Sequence, residues 1–383
     1  MLMAQLRDEI DRGGPITFAR FMEVALHDPH HGYYAAATAR PGRAGDFLTA
    51  PETHPIFGRT LARALEETWR LLGGPGSTVP FTLVEHGAGS GALALAILDG
   101  LRRSGSPLLA QLRYEPVELA PNRRAELAER LRAAGFGEQL ALEPGGAPFR
   151  GVVLANELLD ALPVHRVALR EGRLVELAVG WAEGAGDDVE GRFVEVGIEP
   201  TTAALAERLA DEAIVLAEGQ VAEICLALEP WVAAAAARLD RGLIVTIDYG
   251  HEAADLYGAA RLGGTLRTYS RHMVAAEPYL RVGRQDITAH VDLTALRRAA
   301  ERAGLVHLGT TSQAAFLIGS GLEGLLDEAR HDPVTTLAEG IALRAALLRL
   351  LDPGATGAFA VAVFGRGLPP GTTLGGLAYR LPR

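Results

Sequence analysis

Phe81-Thr82-Leu83-Val84-Glu85-His86-Gly87-Ala88-Gly89-Ser90-Gly91-Ala92 is the stretch on which the fold turns. Residues 81–84 have the length and texture of a strand buried on both faces, 87–91 those of a tight turn, and 92–103 those of a helix. Glycine accepts the backbone angles such a turn needs and leaves a ligand room against main-chain N–H groups at a helix N-terminus. The alternation continues downstream. Residues 113–119 read as a strand, 121–134 as a helix opened by Pro121, and 151–155 and 242–247 as further buried strands. Strands alternating with helices imply right-handed βαβ units, and so an α/β, doubly wound, mostly parallel sheet.

The flanks are less regular. Thr17 is placed to cap a helix that stops near Asp28-Pro29, a second helix is expected over 56–72, and Gly73-Gly74-Pro75-Gly76-Ser77 has linker composition. Residues 164–196 alternate like antiparallel hairpins, an insertion capping the sheet. The polar stretch 249–292 is too long for a passive connection. A helix at 337–351 and a buried strand at 358–364 close the chain. The expected organisation is an N-terminal helical and lid segment (1–76), the first part of a nucleoside-binding domain (77–163), an inserted hairpin and helical subdomain on the substrate side (164–219), and the second part of the domain with its long loop 249–292 (220–383).

Composition narrows the class. The chain has 383 residues, room for two or three domains, and 48% of them are hydrophobic, enough for a sizeable core. A single cysteine, Cys225, excludes an internal disulfide framework. The net charge is 37 − 47 = −10, and all 37 basic residues are arginine. An acidic chain offers no basic excess for a nucleic acid. No apolar run reaches the ~18 residues of a membrane span, and the N-terminus lacks a signal-peptide core. A soluble, cytoplasmic protein bound to neither nucleic acid nor membrane is the expectation.

The glycine turn satisfies two patterns. Gly87-x-Gly89-x-x-Ala92 fits a dinucleotide fingerprint, and Glu85-x-Gly87-x-Gly89-x-Gly91 fits the loop with which class I methyltransferases surround S-adenosylmethionine. Charge separates them. A dinucleotide sets an anionic pyrophosphate over the turn, whereas S-adenosylmethionine brings an ammonium and a sulfonium. A carboxylate ~4 Å from a unit charge is worth roughly 4 kcal/mol at an effective dielectric near 20, with the sign set by the ligand. Glu85 therefore favours the cationic cofactor. Glu118, closing the next strand, is placed for ribose hydroxyls. It lies 118 − 87 = 31 residues past Gly87, further than the ~20 of the dinucleotide fingerprint.

A second cluster, Asn156-Glu157-Leu158-Leu159-Asp160-Ala161-Leu162-Pro163, follows a buried strand, at the end that faces the ligand crevice of an open α/β sheet. Asn156, Glu157 and Asp160 point there toward substrate, although Asn-Glu alone also reads as a helix cap. Gly45-Asp46-Phe47-Leu48-Thr49 reads either as a lid, with Asp46 and Thr49 on the cofactor, or as an Asx-type turn. His290 is a general base or a structural hydrogen-bonder. His27-Asp28-Pro29-His30-His31 fits no standard metal site, and no metal is expected.

The ordered set of Phe18-Ala19-Arg20-Phe21-Met22, Gly32-Tyr33-Tyr34, Gly45-Asp46-Phe47, Glu85-x-Gly87-x-Gly89-x-Gly91, Asn156-Glu157-x-x-Asp160-Ala161-Leu162-Pro163, Asp248-Tyr249-Gly250 and Asp286-x-Thr288-Ala289-His290-Val291-Asp292 resembles the MidA-like family of S-adenosylmethionine-dependent methyltransferases. The resemblance implies a class I methyltransferase (Rossmann-like) fold with S-adenosyl-L-methionine held by Glu85, Gly87, Gly89, Gly91, Glu118, Asn156, Asp46 and Thr49. It also implies protein-arginine methylation, with Glu157, Asp160 and Asn156 in the catalytic roles. Mitochondrial members resemble complex I assembly factors, so the implied partner is a protein substrate, a respiratory complex subunit among the candidates; a second copy of the chain (a homodimer) is a further candidate partner. His86, Ala88 and Ser90 stand where the family usually carries leucine, proline and a basic residue; the glycines and carboxylates are intact. Two rival functions remain at this stage: an NAD(P)-dependent oxidoreductase, and a non-catalytic S-adenosylmethionine-binding assembly factor.

Overall fold

The computed structural model describes residues 1–35, 50–184, 191–270, 273–275, 277–331 and 336–380, and they form two compact units. One comprises 48–158, 232–249 and 299–383; the other comprises 1–47, 159–231 and 250–298.

The first unit is built on a six-stranded sheet. Its strands are β1 (Phe81–His86), β2 (Leu112–Val117), β3 (Phe149–Asn156), β4 (Leu239–Asp248), β5 (Val306–Ser312) and β6 (Ala360–Arg366), in the spatial order β5-β6-β4-β3-β1-β2. β1 pairs in parallel with both β2 and β3, and β3 with β4; β6 runs antiparallel to β4 and to β5. The doubly wound α/β expectation holds, and the chain reverses its winding at β1, which has β2 on one side and β3 on the other. In such sheets the ligand crevice opens at the carboxyl ends of the strands flanking this reversal. The helix Ala92–Arg103 follows β1 and Pro121–Ala133 follows β2, the latter with Pro121 in its first turn. Leu83, Tyr114, Val152, Leu154 and Val245 from the sheet and Phe57, Leu61, Leu65 and Trp69 from the helix Ile56–Leu71 belong to one apolar core.

β5 has no counterpart in the sequence reading. Every residue along it is intermediate or exposed, so the edge strand lacks the apolar run that marks the others. Residues 73–77, of linker composition, form a turn inside this unit. Arg150, itself buried, donates to the carbonyls of Leu72 (2.7 Å) and Val79, fastening both sides of the turn to β3.

The second unit holds a four-stranded antiparallel sheet in the order Arg192–Ile198, Arg173–Ala182, His165–Arg170, Val221–Ile224. The hairpins expected over 164–196 are its first three strands, and Val221–Ile224 pairs with His165–Arg170. Thr17 accepts from the Arg20 N–H at 3.1 Å and caps the helix Phe18–His27, whose Phe18, Phe21, Met22 and Leu26 fill the core. The stretch read as a long loop contains the strands Arg267–Ser270, Met273–Ala275 and Asp286–Thr288, paired in an antiparallel sheet. Thr268, Ser270, Asp286 and Thr288 are polar yet buried, which is why the stretch resembles a solvated loop in sequence. The units therefore draw on different stretches from the four sequence segments: 56–71 packs in the sheet unit, and 221–224 and 250–298 belong to the other.

Among the described residues, no helix is long and apolar enough to cross a membrane.

Candidate active site

Register brings the sequence candidates of the sheet unit to one edge. His86, the last residue of β1, lies opposite Val117 of β2 and Ala155 of β3. Glu118 and Asn156 each come one residue later, so both stand at the carboxyl edge beside the glycine turn. Glu118 sits just past the strand that was expected to contain it.

Gly87, Gly89 and Gly91 have φ of 70°, 53° and 79°, the left-handed region closed to most side chains. A Cβ on Gly91 would stand 2.8 Å from Leu127 Cγ, so that glycine also lets the helix Pro121–Ala133 approach. Around Gly89 a Cβ would find nothing nearer than 4.0 Å among the described residues. The Gly89 N–H donates to Glu118 Oε2 at 2.8 Å, and the Ala120 N–H to Glu118 Oε1 at 2.8 Å. Both carboxylate oxygens are thereby aimed by the backbone while each keeps a lone pair for a further donor.

Glu85 lies beneath the turn, 3% exposed, and accepts the Tyr114 hydroxyl proton at 2.7 Å; Tyr114 is 0% exposed. Burial pushes the Glu85 carboxyl up to about 7, against the pull of the Tyr114 hydroxyl and with help from the Glu118 charge. The Tyr114 hydroxyl is in turn pushed well above its ordinary range by burial and by Glu85. A buried acid with one hydrogen-bond donor among the described residues is poised to ionise when a cation arrives. It disfavours a pyrophosphate, the more so because the Gly89 amide that would cradle a phosphate is already held by Glu118.

At the end of β3 the backbone kinks. Glu157 has φ 50°, a left-handed conformation for a residue with a side chain, while its N–H still bonds to Ile247 O at 2.8 Å. Such a conformation costs roughly 1–2 kcal/mol and clusters at functional sites. Asn156 Nδ2 donates to Glu157 Oε1 at 3.1 Å, and Asn156 Oδ1 is a buried acceptor without a hydrogen-bond donor among the described residues. Asp248, ending β4, receives the Leu158 N–H at 3.2 Å and the Tyr249 N–H at 2.9 Å, which ties the turn after β3 to the neighbouring strand. The carboxylates, the open space at Gly89 and the waiting acceptor on Asn156 suit a cofactor carrying an ammonium, a sulfonium and ribose hydroxyls.

In the second unit Asp160, 5% exposed, lies in the 3-10 turn Leu159–Ala161, and its carbonyl accepts from the Ala289 N–H at 3.0 Å. Its surroundings there include residues the sequence analysis left without a role. Tyr34 donates to Asp286 Oδ1 at 2.8 Å, and burial together with the charges of Asp286 and Asp160 pushes the Tyr34 hydroxyl well up. Tyr269 is raised by burial and the same two carboxylates. His27 stacks on Tyr34 (5.6 Å between centroids), with Nε2 3.0 Å from Ala161 O. The signal in sequence was Gly32-Tyr33-Tyr34, which carries chemistry only once Asp286, 252 positions away, is folded against it. Asp28 accepts the N–H groups of His30 (3.0 Å) and His31 (2.9 Å), a turn-forming role. His290 stacks on His251 at 5.3 Å, and burial and neighbouring positive groups push it down to about 4. Asp46 and Thr49 lie outside the described residues.

Comparison with known proteins agrees with this geometry. Residues 60–311 match the family model described as "Putative S-adenosyl-L-methionine-dependent methyltransferase". The chain is similar to a mitochondrial protein arginine methyltransferase NDUFAF7 homolog of Drosophila melanogaster, 31% identical over 82% of this chain and 74% of that one. It is similar also to the mitochondrial protein arginine methyltransferase NDUFAF7 of Mus musculus, 28% identical over 86% and 77%. A crystal structure of a Burkholderia thailandensis protein bound to S-adenosyl-homocysteine superposes with a TM-score of 0.87 at 35% identity, over 98% of this chain and 94% of that one.

Proposed function

The chain belongs to this family of S-adenosyl-L-methionine-dependent methyltransferases, and from that premise we propose that it methylates an arginine side chain of a protein. The observation that carries the reading is the cluster after β3: Glu157 held in a strained backbone beside the waiting acceptor of Asn156, with Asp160 three residues on. The names of the relatives support it. The dinucleotide alternative lapses with the family.

S-adenosylmethionine supplies a methyl group on a sulfonium, an excellent leaving group, so the protein's work is alignment and exclusion of water; alignment alone is worth ~7–11 kcal/mol of barrier. Glu85 faces the ammonium, and Glu118 takes ribose hydroxyls on the lone pairs its two amide donors leave free. Gly87, Gly89 and Gly91 let the turn follow the cofactor. Glu157 would hold the guanidinium by charge-assisted hydrogen bonds, and Asn156 Oδ1 would accept from cofactor or substrate. The bound cofactor would supply the methyl group and leave as the neutral thioether, and Glu157 would orient the attacking nitrogen and take the proton it loses.

Glu157→Gln should abolish methyl transfer while leaving S-adenosylmethionine affinity within a few-fold; a fully active variant refutes the assignment. Amino-acid analysis of the methylated partner should return methylarginine. The enzyme has no lysine, so methyl-lysine in the mixture would come from the partner and contradict the reading. A respiratory complex subunit as substrate, a homodimer and a cytoplasmic location belong to the proposal; the relatives' names place those proteins in mitochondria.

A further inference from the structure

We propose that Glu212 and Asp292 share one proton where the helix Ala204–Asp211 meets the start of the helix Leu293–Arg302, and that this proton is a latch on the second unit, closed at neutral pH and opened by alkali.

The backbone fixes both partners. Glu212 ends its helix in a Schellman turn: the Ala213 N–H donates to Ala210 O at 3.0 Å and the Ile214 N–H to Leu209 O at 2.8 Å, with Ala213 left-handed at φ 55°. Asp292, 7% exposed, precedes the other helix, and its Oδ1 accepts the Ala295 N–H at 2.9 Å as an N-cap does. The Tyr257 hydroxyl lies 3.2 Å from Asp292 Oδ2 and 3.2 Å from the Glu223 carbonyl, which connects Asp292 to the strand Val221–Ile224. Arg298 donates to the carbonyl of Asp211, next to Glu212, so the two helices are joined at this point.

Both Glu212 carboxyl oxygens are buried, and among the described residues no donor reaches either. The side chain that its carboxyl meets is Asp292. Two carboxyl groups hydrogen-bond only when one of them carries a proton. Asp292 already accepts from Tyr257 and Ala295, so Glu212 is the acid of the pair. Its position agrees: an anion at a helix C-terminus opposes the dipole, whereas at an N-terminus, where Asp292 stands, it is favoured. Facing the pair are the Arg208 and Arg298 guanidiniums, the Tyr257 phenol and the Cys225 thiol, which burial pushes up to about 11. Arg208 also lies 4.0 Å from Glu229. Burial and the Asp292 charge outweigh the two arginines and push the Glu212 carboxyl up to about 8. Above that pH the proton passes to solvent and two carboxylates face each other. The unfolded chain releases the same proton near 4.5, so the latch weakens as pH rises from there and is lost above about 8.

The test is hydrogen exchange of the full chain, read by mass spectrometry on peptides covering 205–214 and 292–298 in a series from pH 6 to pH 9.5, with intrinsic exchange rates divided out. Wild-type protection should fall about tenfold or more across the series and then level off. Glu212→Gln, whose amide donates to Asp292 at any pH, should keep its protection constant. This variant retains Glu85, so a loss arising there would appear in both proteins, and a fall of the same size in both overturns the inference. A protonated-carboxyl stretch in the infrared spectrum of the wild type at pH 6.5, missing from Glu212→Gln, identifies the proton itself; its absence refutes the pair. Where Glu212→Gln does not fold, Asp292→Asn decides, with S-adenosylhomocysteine affinity as the check on folding. Removing the neighbouring charge should move the break in protection to lower pH, and an unmoved break overturns the inference.

Discussion

Replacing Glu85 by glutamine should make the cofactor-free protein more stable and its cofactor affinity weaker, and the stability difference should widen with pH. Glu85 is buried at the end of β1 with Tyr114 as its hydrogen-bond donor, and its carboxyl titrates at about 7 instead of the ordinary 4.5. Between those values the folded chain holds a proton that the unfolded chain has released, so stability falls as pH rises from about 4.5 to about 7 and stays low above it. The displacement of about 2.5 pH units, at ~1.4 kcal/mol each, sets an upper bound of ~3.5 kcal/mol. Glutamine matches the shape, never ionises and still accepts the Tyr114 hydroxyl. Urea denaturation of both proteins at pH 5 and pH 8 should show near-equal stability at pH 5 and an advantage of about 2–3 kcal/mol for Glu85→Gln at pH 8. Calorimetry should show the converse for the cofactor. Wild-type affinity for S-adenosylmethionine rises up to tenfold per pH unit toward pH 7, and the variant is weaker and flat. Parallel stability curves, or a variant less stable at pH 8, would mean that Glu85 is not the strained acid described, and the electrostatic choice of cofactor would lose its basis.

Three further outcomes follow from the same geometry. Tyr114→Phe removes the donor that holds Glu85 down, so the pH at which S-adenosylmethionine affinity levels off should move above that of the wild type; an unshifted profile with uniformly lower affinity would indicate a packing role only. Gly91→Ala places a Cβ 2.8 Å from Leu127 Cγ at φ 79°, and the unfolding free energy should drop by about 2–4 kcal/mol, measured in urea. Glu157→Gly relieves a left-handed backbone, so stability should hold or rise by up to about 1 kcal/mol while methyl transfer is lost; a clear loss of stability would contradict the strain argument.

How far the fold could be read follows from whether each determinant is local. The stretch 81–103 was legible because everything it needs is contiguous: an apolar strand, glycines whose φ angles only glycine adopts freely, and a helix opening at Ala92. Glu118 and Asn156 were legible for a related reason, since the ends of parallel strands paired with β1 must come to the same edge. β5 was not, because an edge strand with no buried residue carries no apolar periodicity. Residues 249–292 misled in the opposite sense. Burial of Thr268, Ser270, Asp286 and Thr288 is made tolerable by strand pairing and by bonds such as Tyr34 to Asp286, both invisible along the chain.

The same distinction separates the two halves of the chemistry. Cofactor recognition, as proposed here, uses backbone amides, glycines and carboxylates at strand ends, which the topology of the sheet positions whatever the distant sequence is. Tyr34, Asp160 and Asp286, by contrast, come together only when three separated stretches fold into one unit. A local motif can therefore identify the methyl donor, whereas the acceptor is written in long-range pairings. Substitutions at Glu85 or Gly89 should accordingly lower cofactor affinity, whereas Glu157→Gln should remove methyl transfer and leave that affinity within a few-fold.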